Sequence, residues 1–244
     1  MNLEKDLQQA IDLCKQGDFI KAKRVYEEIL KKKKDVPEIY YNYGLVLKSL
    51  NKLNEAEENI SKAISLKPNF IFAYYQMGNT KFKLRKFEES EAYYKKGISL
   101  KSDFLEAYIN LARTQRELRK LEESEKNLRI AQKINPDFHE VNSLLGLILF
   151  DRGRFDDDLK LQDSDKLNEA KKILLKSIKI KPDSAFAYLN LGLVYQELGE
   201  LNNAKNCYER SLELEPFNVS AKYNLNILLS QINFLETIDF KQSS

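Results

Sequence analysis

Side-chain amides return along this 244-residue chain at a regular interval: Asn42, Gln76, Asn110, Asn190 and Asn224. The first two steps are 34 residues each, and one further step of 34 lands on Leu144, which breaks the series. From there 46 residues lead to Asn190 and 34 more to Asn224. An amide carries both donor and acceptor, so it can pair with a peptide backbone whatever side chains that backbone bears. Asparagine is also a poor helix former, because it competes with the backbone for hydrogen bonds. Its return at one place in a helical pattern is therefore hard to explain by stability; the alternative is that these amides link adjacent helices. Each such bond contributes about 1 kcal/mol net. Five give a few kcal/mol, short of the roughly 8 kcal/mol of micromolar binding. Apolar anchors would have to supply the rest.

No catalytic constellation accompanies the amides. The one histidine, His139, has no Ser or Cys neighbour in a recognisable motif, and there is no phosphate-cradling glycine loop and no metal-ligand spacing. The expectation is a non-enzymatic protein without cofactor or metal. The 40 basic and 37 acidic side chains leave a net charge near +3, which does not favour nucleic acid or a membrane surface as partner. The run Lys31 to Lys34 reads as a solvated helix end, where cations suit the dipole. Cys14 and Cys207 fall at core-type positions and read as reduced thiols. No apolar stretch approaches a membrane span, and residues 1–17 are amphipathic and charged rather than a signal peptide. A cytoplasmic location follows as the expectation.

Small residues mark the elements that must position the amides. Ala10, Gly44, Gly78, Ala112, Gly146 and Gly192 form one comb; Ala22, Ala56, Ser90, Ser124, Ala170 and Ala204 form a second in phase with it. Both show four steps of 34 and one of 46, so one unit carries an insertion of 12 residues. Self-similarity at this period marks stacked helix pairs, which present extended concave surfaces. With the first comb at position 8, units begin at residues 3, 37, 71, 105, 139 and 185. Apolar spacing of three and four predicts two helices per unit. The turn between them falls at position 15, on Gly17, Asn51, Gly153 and Gly199, and Pro68, Pro136, Pro182 and Pro216 stop the second helix. Glycine inside a helix costs about 1 kcal/mol; its recurrence at position 8 predicts close approach of the paired helix.

The pattern resembles the tetratricopeptide repeat family, most clearly at Tyr188, Leu191, Gly192, Tyr195, Ala204, Tyr208 and Pro216. The resemblance spans residues 3 to about 235. It implies an all-α, right-handed superhelical solenoid of about six helix pairs and a capping helix over 219–235, one domain with a tail at 236–244. It also implies that positions 2, 5, 6, 9, 12 and 13 of each first helix line a concave groove. The amides occupy position 6, and that column is similar to the asparagine ladder of the repeats in O-linked N-acetylglucosamine transferase, which grips peptide backbones. Tyr41, Phe72, Tyr75, Phe82, Phe150, Phe186 and Tyr223 fall at lining positions, as anchors or as packing between neighbouring helices. Asn79, Arg113 and Arg116 add a polar patch able to take a carboxylate, although Glu106 and Glu117 share its face. The family's clamp for chaperone C-termini is not expected: Asn79 and Asn110 match two of its slots, but Tyr75, Glu140 and Leu144 occupy others.

The expected peptide-binding residues are thus Asn42, Gln76, Asn79, Asn110, Arg113, Asn190 and Asn224, with Tyr41, Tyr75 and Phe82. The expected function is a scaffold that holds an extended peptide or partner helix. The alternatives are the substrate-recruiting module of a glycosyltransferase, sulfotransferase or hydroxylase, and an assembly factor for a multiprotein complex. The short stretch after the cap favours a complete module. The acidic insertion within 151–166, with Asp156, Asp157, Asp158, Asp163 and Asp165, reads as a solvated loop. A partner contact and a calcium site are the alternatives; its spacing does not fit the helix–loop–helix calcium motif.

Overall fold

The structure is a computed structural model and describes residues 3–154 and 164–242. All thirteen elements among the described residues are α-helices. They fall into two compact units, residues 1–119 and 120–244. The first holds α1 (Leu3–Lys15), α2 (Phe19–Lys32), α3 (Pro37–Ser49), α4 (Leu53–Leu66), α5 (Ile71–Lys83), α6 (Phe87–Leu100) and α7 (Leu105–Glu117). The second holds α8 (Leu121–Ile134), α9 (His139–Arg154), α10 (Ser164–Ile180), α11 (Ala185–Glu197), α12 (Leu201–Leu214) and α13 (Val219–Gln242). Within the first unit α1 packs on α2, α3 on α4 and α5 on α6; within the second, α9 packs on α10 and α11 on α12. None of the described helices is long and apolar enough to cross a membrane.

The repeat arithmetic fixes the helix lengths. Each regular first helix has 13 residues and each regular second helix 14, so a short turn and a short link complete the 34. The turn residues Gly17, Asn51 and Gly199 adopt the left-handed conformation, as do Arg85 and Arg119, which stand where the pattern offers no glycine. The residue that follows donates its N–H five positions back, Lys86 to Lys81 at 2.9 Å and Glu200 to Tyr195 at 2.8 Å, closing the last carbonyls of the helix. Lys67, Asn135 and Glu215 leave the helical region immediately before Pro68, Pro136 and Pro216, as a residue before proline is disposed to do, and Lys101 does the same before Ser102.

The glycines at position 8 are sites of close approach, as expected. A Cβ at Gly44 would lie 2.6 Å from Ile60; one at Gly78, 2.6 Å from the Tyr94 ring; one at Gly192, 2.5 Å from the Tyr208 ring. The second comb is fully buried at Ala22, Ala56, Ser90, Ser124, Ala170 and Ala204. Where serine replaces alanine in the core its hydroxyl has a use: Ser90 donates to the Gly78 carbonyl at 2.9 Å, and Ser211 at position 27 donates to that of Ala185 at 2.9 Å.

Two sequence expectations need correction. Gly153 is not a turn residue: α9 runs through it to Arg154, and Gly153 is buried. The extension is held at its end by Arg154, which pairs with Glu197 at 3.1 Å and lies over the Phe150 ring. α10 begins at Ser164, so helix takes up part of the insertion at both ends, and Asp165 is helical. Asp156, Asp157, Asp158 and Asp163 lie outside the described residues. The final helix also continues past residue 235 to Gln242. Both cysteines are free; Cys207 is buried and Cys14 half-buried. Burial raises both thiols, Cys207 to about 11, so neither is poised to react.

Candidate functional site

The first helices of the first unit carry one continuous polar chain. It starts at Lys48 on α3, whose ammonium donates to Gln76 Oε1 on α5. The Asn79 amide donates to the same oxygen at 3.3 Å. Asn110 on α7 donates to Asn79 Oδ1 at 2.9 Å and to the Tyr75 hydroxyl at 3.0 Å. Arg113, one helical turn on, donates to Asn110 Oδ1 at 3.3 Å. The Tyr94 hydroxyl on α6 also donates to Asn79 Oδ1, at 2.7 Å. Two cations, Lys48 and Arg113, are thus joined through three amides whose oxygens all accept.

The chain exists because of the repeat period. Gln76 and Asn110 occupy position 6 in consecutive units, and Asn79 sits three residues after Gln76, hence on the same helix face. Thr80 and Thr114 on the buried side bond back to the carbonyls of Gln76 and Asn110 at 2.8 Å, each using its hydroxyl within its own helix.

Beside the polar chain lies a cavity of about 260 Å³. Lys48, Lys83 and Arg113 bring positive charge to its wall; Asn79 and Asn110 bring amides; Phe82 and Tyr94 bring rings. Burial pushes the Lys48 ammonium down to about 8, and the neighbouring Lys83 pushes the same way. Burial raises the hydroxyls of Tyr75 and Tyr94, so both stay neutral donors or acceptors at ordinary pH. Tyr75 stacks against Phe104 with ring centres 5.0 Å apart, and Tyr41 against Phe70 at 4.8 Å.

Of the ten residues singled out in the sequence, the structure draws six together: Tyr75, Gln76, Asn79, Phe82, Asn110 and Arg113. Tyr41 stands near Tyr75, and burial first, then the neighbouring Tyr75, raises its hydroxyl. Asn42 lines a separate cavity of about 250 Å³ with Cys14 and Tyr26. In the second unit Asn224 is half-buried on α13, whereas Asn190 on α11 is 2 % exposed and its Nδ2 has no hydrogen-bond partner. The expectation that every amide of this column faces solvent is therefore corrected at Asn190, which tertiary packing has enclosed. Phe150, expected in the groove, is 4 % exposed and belongs to the core; Phe72, Phe186 and Tyr223 are exposed. The amides of the first unit are also not idle, since Asn110 commits both of its N–H groups and its oxygen to neighbours.

The sequence list missed Lys48, Lys83 and Tyr94. The first two stand at positions 12 and 13, columns already recognised as lining, so a count of cations in those columns would have found them. Tyr94 stands at core position 24 and is 1 % exposed, yet it lines the cavity and bonds Asn79 through its hydroxyl; no periodicity argument distinguishes that from a core ring without such a role.

Models of the tetratricopeptide repeat match residues 37–70 and 73–104, 109–164, and 185–218. Among solved structures the chain is similar to PilW, described as a widely conserved type IV pilus biogenesis factor (TM-score 0.75, 17 % identity, covering 91 % of this chain and 98 % of that one). It is similar to pilF of Pseudomonas aeruginosa (TM-score 0.72, 12 % identity, 91 % and 95 %). It is also similar to YrrB, described as a TPR protein with an unusual peptide-binding site (TM-score 0.62, 20 % identity, 81 % and 96 %). At these identities the likeness is one of fold. No curated protein gives a significant sequence match.

Proposed function

The chain belongs to the tetratricopeptide repeat family, and from that premise we propose that it is a protein-interaction scaffold whose first unit holds an extended peptide against α3, α5 and α7. One observation carries the reading. Asn79, Phe82, Asn110 and Arg113, selected from the columns that the family resemblance marks as lining, line a single cavity with further cations and rings. Polar groups that fix orientation beside rings that supply contact area are the usual make-up of a recognition site. The fold-level likeness to YrrB, a protein described as having a peptide-binding site, is consistent with it. Gln76, Tyr75 and Tyr41 are proposed as the adjoining wall, with Asn42 as an outlying contact; Asn224 is proposed as a peptide contact of the second unit by itself.

The mechanism differs in one respect from a ladder of free amides. Because Asn110 is fully engaged, a peptide gains most from the groups around it, while the amide chain holds Lys48 and Arg113 in place. Rigid positioning of this kind lowers the ordering cost that association must meet. The test is a photo-crosslinking amino acid introduced at Phe82 on α5 and, separately, at Ile20 on α2, which is 61 % exposed. Partner crosslinks from residue 82 and not from residue 20 are expected. Crosslinks confined to residue 20 would move binding to the second helices of the pairs and end this reading.

A further inference from the structure

The cavity beside Lys48 has a charge imbalance that peptide binding in general does not require. Three cations line it, and no carboxylate among the described residues does. Lys48 has no ion-pair partner among the described residues; its one bond is to the neutral Gln76 amide. The nearby Glu106 acts on Tyr75 but is not part of the cavity wall. Other lysines withdrawn from water in this chain are treated differently. Lys81, two residues from Lys83 and 4 % exposed, is paired with both Glu57, at 2.7 Å, and Glu89. Lys171 is paired with Glu200 at 2.6 Å. A charge withdrawn from water without a counter-charge is costly, so Lys48 stands out as a cation whose counter-charge is absent from the chain itself.

Resting on the peptide-scaffold reading, we infer that this cavity is an anion subsite that takes the carboxylate side chain, aspartate or glutamate, of a bound extended peptide. The geometry gives the carboxylate three cationic donors from three helices, Lys48 of α3, Lys83 of α5 and Arg113 of α7. The volume is several times the roughly 30 Å³ that one water takes in the liquid, so the subsite has room for the methylenes of a side chain as well as its charged end. Phe82 and Tyr94 offer those methylenes an apolar wall. The depressed protonation of Lys48 has the same origin: burial and Lys83 disfavour its charge, and the opposite charge of an incoming carboxylate offsets them. These cations stand at positions 12, 13 and 9 of their units, not in the columns from which the chaperone-tail clamp draws its cations.

The full-length chain would be used to probe an array of randomised decapeptides that includes matched sets with internal Asp or Glu, with Asn or Gln in their place, with phosphoserine, and with a free or amidated C-terminus. At least a tenfold preference for internal Asp or Glu at one register is expected. Lys48→Met should abolish that preference, Arg113→Gln should weaken it, and Lys83→Gln, at an exposed residue, should weaken it several-fold. Circular dichroism confirms that each variant keeps its helix content. Capture without acidic preference would overturn the anion subsite and leave the peptide scaffold standing. A preference for phosphoserine or for the free C-terminus over internal carboxylates would overturn the assignment to an acidic side chain. Failure to capture any peptide would overturn the scaffold reading along with the subsite.

Discussion

The same repeat columns meet opposite fates in the two units. In the first, position 6 carries Gln76 and Asn110, both half-buried, and position 12 carries Lys48 and Phe82 at the edge of a cavity. In the second, position 6 of α9 and α11 carries Leu144 and Asn190, both buried, and position 12 of α9 carries Phe150, also buried, while Asn224 on α13 stays half-buried. The helices explain the contrast. α9 packs against α8, α10 and α11 and is buried almost all round, from Val141 through Asp151. α5, its counterpart, leaves Phe72 more than half exposed. The repeat fixes where on a helix a residue stands; the packing around that helix decides whether the place is wall or core. An asparagine can therefore be an organised polar contact in one unit and an enclosed, unsatisfied group in the other.

The largest effects should come from the glycines that let the paired helices close. Gly78→Ala and Gly192→Ala each drive a methyl into a tyrosine ring, Tyr94 and Tyr208 respectively, at 2.6 and 2.5 Å. Each should cost about 1–3 kcal/mol as overpacking, read as a fall in urea midpoint with little change in slope. The two variants should then part company. Displacing Tyr94 disturbs its bond to Asn79 and the cavity wall, so Gly78→Ala should also weaken peptide capture. Tyr208 bonds to Gln196 within its own unit, and Gly192→Ala should leave capture intact under conditions where the protein is folded. Equal loss of capture in both would erase the distinction between the units.

Leucine exchange at the two asparagines gives a smaller effect of opposite sign. Asn110→Leu removes the acceptor of Arg113 and the donor to Asn79 and Tyr75. It should destabilise by about 1–2 kcal/mol, because stranded partners lose their bonds. Asn190→Leu removes an amide nitrogen that is buried without a partner, and should be neutral or stabilise by up to about 1 kcal/mol. Thermal midpoints of the two variants decide it; destabilisation of similar size in both would mean that Asn190 does the same work as Asn110.

Much of this fold was legible because it is periodic. The two combs, the prolines and the apolar spacing gave the pairings α3 with α4 and α11 with α12, and the glycine at position 8 pointed directly to the contact with position 24. The misreadings share one cause. Gly153 matched a turn residue by column, yet burial of the surrounding α9 side chains and the Arg154–Glu197 pair carry the helix onward. Asn190 matched a groove residue by column, yet packing around α11 enclosed it. Arg85 and Arg119 took left-handed turns without the residue type that announces them; at Arg85 the bond from Lys86 N–H back to the Lys81 carbonyl closes the helix end in that conformation. Periodicity reports each helix to itself; burial is a property of its neighbours, and one chain's letters carry that only through apolar content.

The smallest effect, in stability, is the most specific to the first unit. The Lys48 ammonium titrates near 8 in the folded chain, against about 10.4 when unfolded. Between those values the unfolded chain holds the proton that the folded chain has released, so this group makes stability rise with pH across the window. The effect should stay under about 1 kcal/mol, since a half-exposed charge is screened by solvent. Other groups titrate nearby: burial raises Cys207 to about 11 and lifts Tyr26, Tyr43, Tyr94 and Tyr208. Those thiol and phenol shifts act in the opposite sense and mostly above pH 9, so the quantity to follow is the difference between wild type and Lys48→Met from pH 7.5 to 9. Lys83, Arg113 and Tyr94 face the same cavity. Over the same interval capture of acidic peptides should fall, because the neutral amine no longer counters a carboxylate. Opposite slopes in stability and binding, both removed by Lys48→Met, are what a desolvated, uncompensated cation produces; parallel slopes, or slopes that survive the substitution, would place the pH dependence elsewhere in the chain.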